Sequence, residues 1–447
     1  MRKTNANGLI IILATAFFFI IMMYETKNPV LYLTTLIVIS ISILVTEKNY
    51  IVNASNLFVA YYIYVLAFGP VILLYEKLYL NFDYFIYILG GLLSFSWGSY
   101  LYGIKKNSLK RRRIKRYNFN LDRVTIIRVL WVVSVIAGLI YAYKNRNYLF
   151  VGDIQNGRVA AMAGNGALIQ LSQLPTALIP MLYQVYFESR YIYHKKKSSL
   201  LEIIIMSVVS FMIIIMQGYR SYAITFILCL AIIYIYKNKI KNTKIIAIGI
   251  TGIILLEILG LIRSLMSSST VPAALSFAYS LRNSLIVNSS NLGHVIATFP
   301  SRTPFQLGKT YFMNFGLLLP GAGTDFTMWL KNQVGIAFAG GGRTSSILGE
   351  TYLNYGTWFV FVGMFMMGMF GRALTNYAKE HDYSFLSVYL MWQFAHSASG
   401  GIANVILPVS IYIVVYIFIS MFPICITSKG LYTNSAGLTE KREWLNG

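Results

Sequence analysis

The sequence predicts an all-α polytopic integral membrane protein, with about twelve transmembrane helices and one large loop on the non-cytoplasmic side. Of its 447 residues, 57% are hydrophobic and only 12% are charged, about half of the charged fraction found in soluble domains. Long continuous apolar segments recur along the chain, and many approach the roughly 20 residues that a helix needs to cross the hydrocarbon core. A transmembrane β-barrel would instead show short segments of alternating polarity.

Twelve apolar segments are predicted to cross the membrane. The first follows Met1-Arg2-Lys3 and lacks a small-residue cleavage site, so it is interpreted as an uncleaved helix rather than a signal peptide. The eighth is short for a full crossing. The predicted spans are residues 8–23, 29–46, 51–75, 84–104, 123–143, 167–187, 199–216, 221–236, 245–262, 355–375, 383–398 and 405–427.

The charges between these segments predict their orientation. Lys and Arg number 24 in the segments on the side of the termini and 12 in the segments on the other side. Six of those 12 lie in residues 263–354, and so long a loop contributes little to the positive-inside rule. Both termini are therefore predicted to be cytoplasmic, with residues 263–354 external or periplasmic.

This topology divides the chain into N-terminal transmembrane helices (1–262), a large periplasmic loop (263–354), C-terminal transmembrane helices (355–427) and a cytoplasmic tail (428–447). The loop holds apolar pieces such as residues 315–320, which are predicted to lie on or dip into the membrane. Irregular backbone at that depth is tolerated only against protein or a water-filled cavity. The loop is therefore predicted to cap the helix bundle over a cavity.

The net charge of +23 is explained by topology rather than by a nucleic-acid partner. The basic run 105–123 lies between two predicted spans, where it anchors the chain at anionic lipid head groups. Cys229 and Cys425 both lie in apolar segments and form no CxxC pair, which argues against a disulfide framework or a zinc site.

A set of arginines on the predicted external side is the first candidate binding site. Arginine stays charged and binds phosphate oxygens through a bidentate fork. The alternative is pairing with acidic side chains or lipid head groups, but the loop offers only Asp325 and Glu350 against six basic residues. The set comprises Arg220, Arg263, Arg282, Arg302 and Arg343.

Candidate catalytic groups lie around a glycine-rich turn. The triple glycine 340–342 permits a tight, anion-cradling backbone before Arg343, and the hydroxyl residues 344–346 are suited to cap a following helix, whose N-terminus also favours anions. Glu350 falls within that helix, where it is either a functional acid or the salt-bridge partner of an arginine. His294, in the same loop, is a candidate base or hydrogen-bond donor.

Residues 343–356, Arg-Thr-Ser-Ser-Ile-Leu-Gly-Glu-Thr-Tyr-Leu-Asn-Tyr-Gly, resemble a run that O-antigen polymerases carry before a late helix. Those proteins, also called oligosaccharide repeat unit polymerases, show Ser-x-x-Gly-Glu-x-Tyr-x-Asn-aromatic-Gly there. Gly218-Tyr219-Arg220-Ser221 resembles their glycine-arginine hairpin, although Tyr219 stands where a small residue is commoner. The layout of spans and late loop resembles the family over nearly the whole chain.

The resemblance implies a fold like that of the polytopic GT-C glycosyltransferases and an enzyme that joins repeat units carried on undecaprenyl pyrophosphate at the periplasmic face of the bacterial inner membrane. It implies no metal or other cofactor. The sugar hydroxyl that attacks needs a base, for which Glu350 is the first choice, followed by Asp325 and His294. The pyrophosphate that leaves needs cationic donors, which would be Arg220, Arg263, Arg282 and Arg343.

Two alternatives stay open at this stage. An O-antigen ligase would share the architecture and the arginines and differ in its acceptor. A flippase or transporter of lipid-linked oligosaccharide would suit twelve spans, but transporters usually show two related halves, and the sequence shows no such repeat. Expected partners are the lipid-linked oligosaccharide, membrane lipids and a chain-length regulator protein, with no nucleic acid.

Overall fold

The computed structural model describes residues 2–46, 52–77, 83–106, 121–149, 161, 164–193, 198–217, 220–265, 277–319, 325–335 and 342–421. Within these ranges all regular structure is helical, which agrees with the predicted all-α class. The basic residues 107–120 and the tail 428–447 lie outside the described residues.

Twelve of the described helices precede residue 266. They are α1 (Arg2–Thr26), α2 (Pro29–Thr46), α3 (Ala54–Tyr62), α4 (Gly69–Glu76), α5 (Asp83–Lys106), α6 (Leu121–Lys144), α7 (Arg146–Leu149), α8 (Gly166–Ser172), α9 (Pro175–Tyr193), α10 (Ser198–Met216), α11 (Arg220–Lys237) and α12 (Asn242–Leu265). A π-helical turn, Ile63–Ala67, joins α3 to α4.

The remaining described helices begin within the predicted loop. They are α13 (Phe277–Thr298), a 3-10 helix (Lys309–Leu318), α14 (Phe326–Val334), α15 (Ser346–Tyr355), α16 (Thr357–Glu380), α17 (Phe385–Gly400) and α18 (Ala403–Met421). The 3-10 helix covers most of the apolar piece predicted at 315–320, and Leu319 just beyond it is exposed.

Four of these described segments are long and apolar enough to cross a membrane: Ala54–Glu76, Val124–Lys144, Thr357–Glu380 and Ala403–Ser420. Shorter apolar helices cover Ala14–Thr26, Pro29–Ile43, Leu200–Met216 and Ser221–Lys237. Each of the twelve predicted segments contains helical backbone. The count of twelve crossings and the periplasmic position of residues 263–354 stay predictions.

The span Ala54–Glu76 is interrupted because Pro70 has no N–H to donate to the carbonyl of Leu66. The π-helical turn ends at Ala67, three residues before this proline. The Leu66 carbonyl accepts instead from the Ser289 hydroxyl of α13 at 2.7 Å. A Cβ on Gly69 would come 2.6 Å from that hydroxyl, so glycine permits the close approach. The break therefore docks α13 against the bundle.

Helices α5 and α16 pack through small residues. A Cβ added to Gly98 would collide with the carbonyl oxygen of Phe365, and one added to Gly368 would collide with that of Phe95. Such contacts between backbones are typical of small residues at membrane helix interfaces. Helix α15 packs against α13, α16 and α17, and it is buried from Ser346 to Asn354. The last part of the predicted loop, from Ser346 to Asn354, is therefore part of the protein interior.

Candidate functional site

Helix α13 holds the segment that leads into α15. The Asn291 side-chain amide donates from Nδ2 to the Thr344 carbonyl at 3.0 Å, and its Oδ1 accepts from Nη1 of Arg343. One turn earlier, Asn288 accepts from the Thr344 hydroxyl at 2.9 Å. Both asparagines are buried. Three hydrogen bonds thus fix the backbone and the guanidinium at the start of the predicted motif.

Arg343 is half-buried, and burial lowers the pKa of its guanidinium. His294 lies on α13, close enough for the Arg343 charge to act on it. Burial, with the Arg343 charge as a second cause, lowers the pKa of the His294 imidazole from 6.5. At neutral pH this histidine is therefore uncharged and able to accept a proton. The structure brings together two residues that the sequence placed in one loop 49 positions apart.

Asp325 caps α14. Its Oδ1 accepts from the backbone N–H of Thr327 at 3.1 Å, and its Oδ2 accepts from the Thr327 hydroxyl at 2.6 Å. The Thr327 carbonyl in turn accepts from the backbone N–H of Arg343 at 2.9 Å. Asp325 therefore caps α14, and Thr327 connects this cap to the backbone of Arg343.

The last residue of the triple glycine packs tightly against α14. A Cβ on Gly342 would collide with the hydroxyl and backbone of Thr327, so this position requires the absence of a side chain. Gly340 and Gly341 lie outside the described residues, and the anion-cradling turn that they predict stays a prediction. Ser346, at the start of α15, has a left-handed backbone with φ of 59°, a strained conformation for a residue with a side chain.

Glu350 is fully buried, and its carboxyl group lies at the N-terminus of α18. Oε1 and Oε2 accept from the backbone N–H of Ala403 at 3.1 and 3.2 Å, Oε2 also accepts from the N–H of Ile402, and the Thr310 hydroxyl donates to Oε1 at 3.4 Å. Burial raises the Glu350 pKa to about 8, although these hydrogen bonds oppose the shift. Among the described residues, the partners of Glu350 are thus backbone amides and a hydroxyl rather than Arg343.

Asn354 and Asn314 extend the hydrogen bonds between α15 and α18 to the 3-10 helix. Asn354 accepts from the Gly308 N–H at 2.8 Å and donates to the Thr310 hydroxyl at 2.7 Å. Asn314 donates to the Ala403 carbonyl at 3.0 Å and accepts from the Phe326 N–H at 2.8 Å. Buried asparagines therefore join α14, α15, α18 and the 3-10 helix into one polar cluster.

The other predicted arginines lie in different surroundings. Arg282, on α13, forms a two-pronged ion pair with Glu76 at the end of α4, with Nε to Oε1 at 3.0 Å and Nη2 to Oε2 as the second contact. Arg302 is exposed on the turn after α13. Arg220 begins α11 and Arg263 lies in the last turn of α12, but both side chains lie outside the described residues.

Sequence reasoning missed Asn288 and Asn291. The available signal was the run Asn288-Ser289-Ser290-Asn291 in a helix that also buries apolar residues, since buried polar side chains must find partners. Within the described part of the chain, no group of three His, Cys, Asp or Glu side chains is placed to hold a metal ion.

The fold and this cluster define a polytopic helical membrane protein whose buried polar site joins α13, α15 and α18. A family model for O-antigen polymerases matches residues 51–415. The chain belongs to the O-antigen polymerase family, as the motif at 343–356 predicted. It is therefore a membrane protein of O-antigen and polysaccharide biosynthesis, and the family acts on lipid-linked oligosaccharides in the membrane with a glycosyltransferase-like polymerising activity. Comparisons with the curated proteins and with the solved structures gave no match.

Proposed function

We propose that this protein polymerises oligosaccharide repeat units carried on undecaprenyl pyrophosphate, at the periplasmic face of the bacterial inner membrane, with both termini cytoplasmic. The observation that carries the proposal is the family match over residues 51–415, together with the Arg343 guanidinium, which Asn291 of α13 contacts and whose charge acts on His294 of the same helix. A cation beside an uncharged imidazole supplies both functions that this reaction needs, a donor to the departing phosphate and an acceptor for the hydroxyl proton.

In the proposed reaction, a hydroxyl at the non-reducing end of a new lipid-linked unit attacks the anomeric carbon of the growing glycan. His294 accepts the hydroxyl proton as the new glycosidic bond forms. The bond between the anomeric carbon and the pyrophosphate oxygen breaks, and undecaprenyl pyrophosphate leaves with the electron pair. Arg343 stabilises the negative charge that develops on the pyrophosphate. This single displacement requires no metal ion.

The remaining predicted site residues receive supporting roles in this proposal. Glu350 has a carboxyl group enclosed by α18 backbone and a pKa of about 8, so it is largely protonated at neutral pH and positions α18 rather than accepting the hydroxyl proton. Asp325 positions Arg343 through Thr327. Arg220 and Arg263 are proposed as further pyrophosphate donors. Arg282 would have to leave Glu76 to join them.

The test is polymerisation by the purified protein in liposomes that contain its lipid-linked repeat unit, with EDTA present. We expect a ladder of glycan lengths on the lipid carrier. Transfer of glycan only to a lipid A core acceptor would identify a ligase instead. Movement of intact substrate across the bilayer without any ladder would identify a flippase. Loss of the ladder in EDTA, with recovery on adding a divalent cation, would contradict the metal-independent reaction.

A further inference from the structure

His396 differs from its neighbours on helix α17 because it alone keeps an exposed surface. All the other residues from Met391 to Gly400 are buried, whereas His396 is half-buried. Consecutive residues of a helix point to different sides of it, so protein surrounds α17 on every side at this level. The exposed part of the imidazole therefore faces a space inside the protein and not its outer surface.

Two aromatic rings border this space. The ring centroids of Tyr61, on α3, and of Trp392, one turn earlier on α17, each lie 6.2 Å from that of His396. They lie 5.6 Å from each other. The Trp392 indole donates to the Thr225 hydroxyl of α11 at 2.8 Å, and the Ser399 hydroxyl donates to that of Tyr61 at 3.3 Å. Helices α3, α11 and α17 thus hold the two rings in place.

The His396 imidazole, in contrast, forms no hydrogen bond or ion pair with any of the described residues. A neutral imidazole has one donor and one acceptor, and polar groups inside a protein normally have partners. Trp392 and Tyr61 follow that rule in the same walls. The two ring nitrogens of His396 are therefore available to a polar molecule that enters the space.

The space lies next to the buried polar cluster around Glu350. A Cβ on Gly400 would come 3.6 Å from Cε1 of His396, and one on Gly401 would collide with Oε2 of Glu350. The turn between α17 and α18 thus has the imidazole on one side and the acid of the family motif on the other. His396 is one helical turn from the end of α17, the end that the sequence predicts to be external.

We propose that this space is a sugar-binding pocket, in which one ring of the glycan packs against Tyr61 and Trp392 and hydrogen-bonds to His396. A sugar ring presents a face of C–H groups and an edge of hydroxyl groups. The pocket offers the matching surfaces, aromatic rings for the face and an imidazole for a hydroxyl. This inference rests on the proposed function and deepens it, since it assigns specificity-determining residues outside the proposed catalytic groups.

The pocket also selects the kind of sugar. The residues that border it, Tyr61, Trp392, His396 and Ser399, include no lysine or arginine. Burying a carboxylate without a cationic partner is costly. The pocket therefore takes an uncharged ring, such as a hexose or an N-acetylhexosamine, and rejects a hexuronic acid. Membership of the family does not by itself make this distinction.

The first experiment tests whether the space is accessible. His396→Cys is made in full-length protein that also carries Cys229→Ala and Cys425→Ala, and it is treated with a water-soluble methanethiosulfonate. Ser397→Cys is the matched control, because the adjacent Ser397 is only 3% exposed. We expect the control to react about tenfold more slowly or less readily still. Equal rates for the two cysteines would overturn the pocket.

The second experiment tests the ligand on the wild-type protein. Diethyl pyrocarbonate modifies accessible imidazoles, and peptide mass spectrometry measures the rate at His396. The probes are methyl glycosides of neutral hexoses and N-acetylhexosamines, with methyl hexuronides as their charged counterparts. We expect a neutral glycoside to slow the reaction about twofold at a concentration equal to its Kd. The rate at His381, in a predicted cytoplasmic loop, should not change. No protection by any neutral glycoside, or equal protection by the hexuronides, would overturn the proposal.

Variants of the walls connect the pocket to the reaction. Tyr61→Leu and His396→Gln are expected to raise the KM for the lipid-linked repeat unit about tenfold with most of the kcat kept. Two variants are used so that one folded protein suffices, and a wild-type KM in a folded variant would overturn the assignment. Labelling and protection need no turnover. Protection of His396 in a chain that forms no ladder would therefore contradict only the proposed polymerisation, and a ladder without protection would contradict only the pocket.

Discussion

The carboxyl group of Glu350 lies against the backbone N–H of Ala403, at 3.1 and 3.2 Å from its two oxygens. This contact joins α15, which carries the family motif, to the first turn of α18. Since the first N–H groups of a helix have no partner within the helix, a buried acid from another helix satisfies them here. Glu350 therefore holds the C-terminal helix in place beside the Arg343 segment.

Glu350→Gln is expected to destabilise the fold. The amide keeps one acceptor oxygen but turns an NH2 group towards N–H donors, which costs about 1–3 kcal/mol. The measurement is chemical unfolding in detergent, combined with kcat for the folded fraction. We expect lower stability with most of the kcat retained. Unchanged stability with a kcat that falls by about 10²–10⁴ would instead identify Glu350 as the general base.

Glu350 also predicts a pH dependence of stability. Burial raises its pKa from 4.5 to about 8, so folding favours the protonated form. Its contribution to the free energy of unfolding is therefore fully present below pH 4.5 and is lost as pH rises to about 8. The difference in unfolding temperature between wild type and Glu350→Gln should shrink across this range. A difference independent of pH would contradict the shifted pKa.

Gly401→Ala is expected to be destabilising by about 1–3 kcal/mol. Gly401 has φ of 75°, and an added Cβ would collide with Oε2 of Glu350. Gly249→Ala is the matched control, because a Cβ there meets nothing within 4 Å and the residue lies within helix α12. The control is expected to unfold at or above the wild-type temperature. Equal stability of the two variants would contradict the described contact between α15 and the α17–α18 turn.

His294→Gln is expected to lower kcat by about 10²–10⁴, the contribution typical of a general base. The Kd for undecaprenyl pyrophosphate should stay unchanged, because the imidazole acts on the acceptor. Since burial and Arg343 lower the His294 pKa, the acid limb of the kcat profile should have its midpoint below pH 6.5. A wild-type kcat in the folded variant would exclude His294 as the base.

The fold class could be predicted from the sequence, because the length of apolar segments is a local property. The family could also be predicted, because the motif at 343–356 is a continuous stretch of the chain. The helix interruption at Pro70 could also be predicted from the sequence. The donor to the freed Leu66 carbonyl could not, because Ser289 lies 223 positions away along the chain. The sequence left two interpretations of Glu350 open, a functional acid or the salt-bridge partner of an arginine. The structure supplies backbone N–H groups 52 and 53 residues later, and sequence patterns carry no signal for a backbone partner.

Around Arg343, some site residues could likewise be predicted from the sequence and others could not. The arginine itself was identified because it follows a glycine run on a predicted external face. Asn291 was not identified, because an asparagine in a helix is ordinary until its neighbours are known. The approach of His294 to Arg343 depends on how α13 packs against the motif, which is a tertiary property.

The most direct test of the central claim is the initial rate of ladder formation by Arg343→Ala, measured beside Arg146→Ala. Arg146 is an exposed arginine that lies over the Tyr143 ring, with 4.8 Å from its Cζ to the ring centroid, and it is predicted to lie on the same side of the membrane. We expect Arg146→Ala to polymerise at the wild-type rate and Arg343→Ala to lose about 10²-fold or more while remaining folded. Equal rates for the two variants would contradict the account of Arg343 as the pyrophosphate donor.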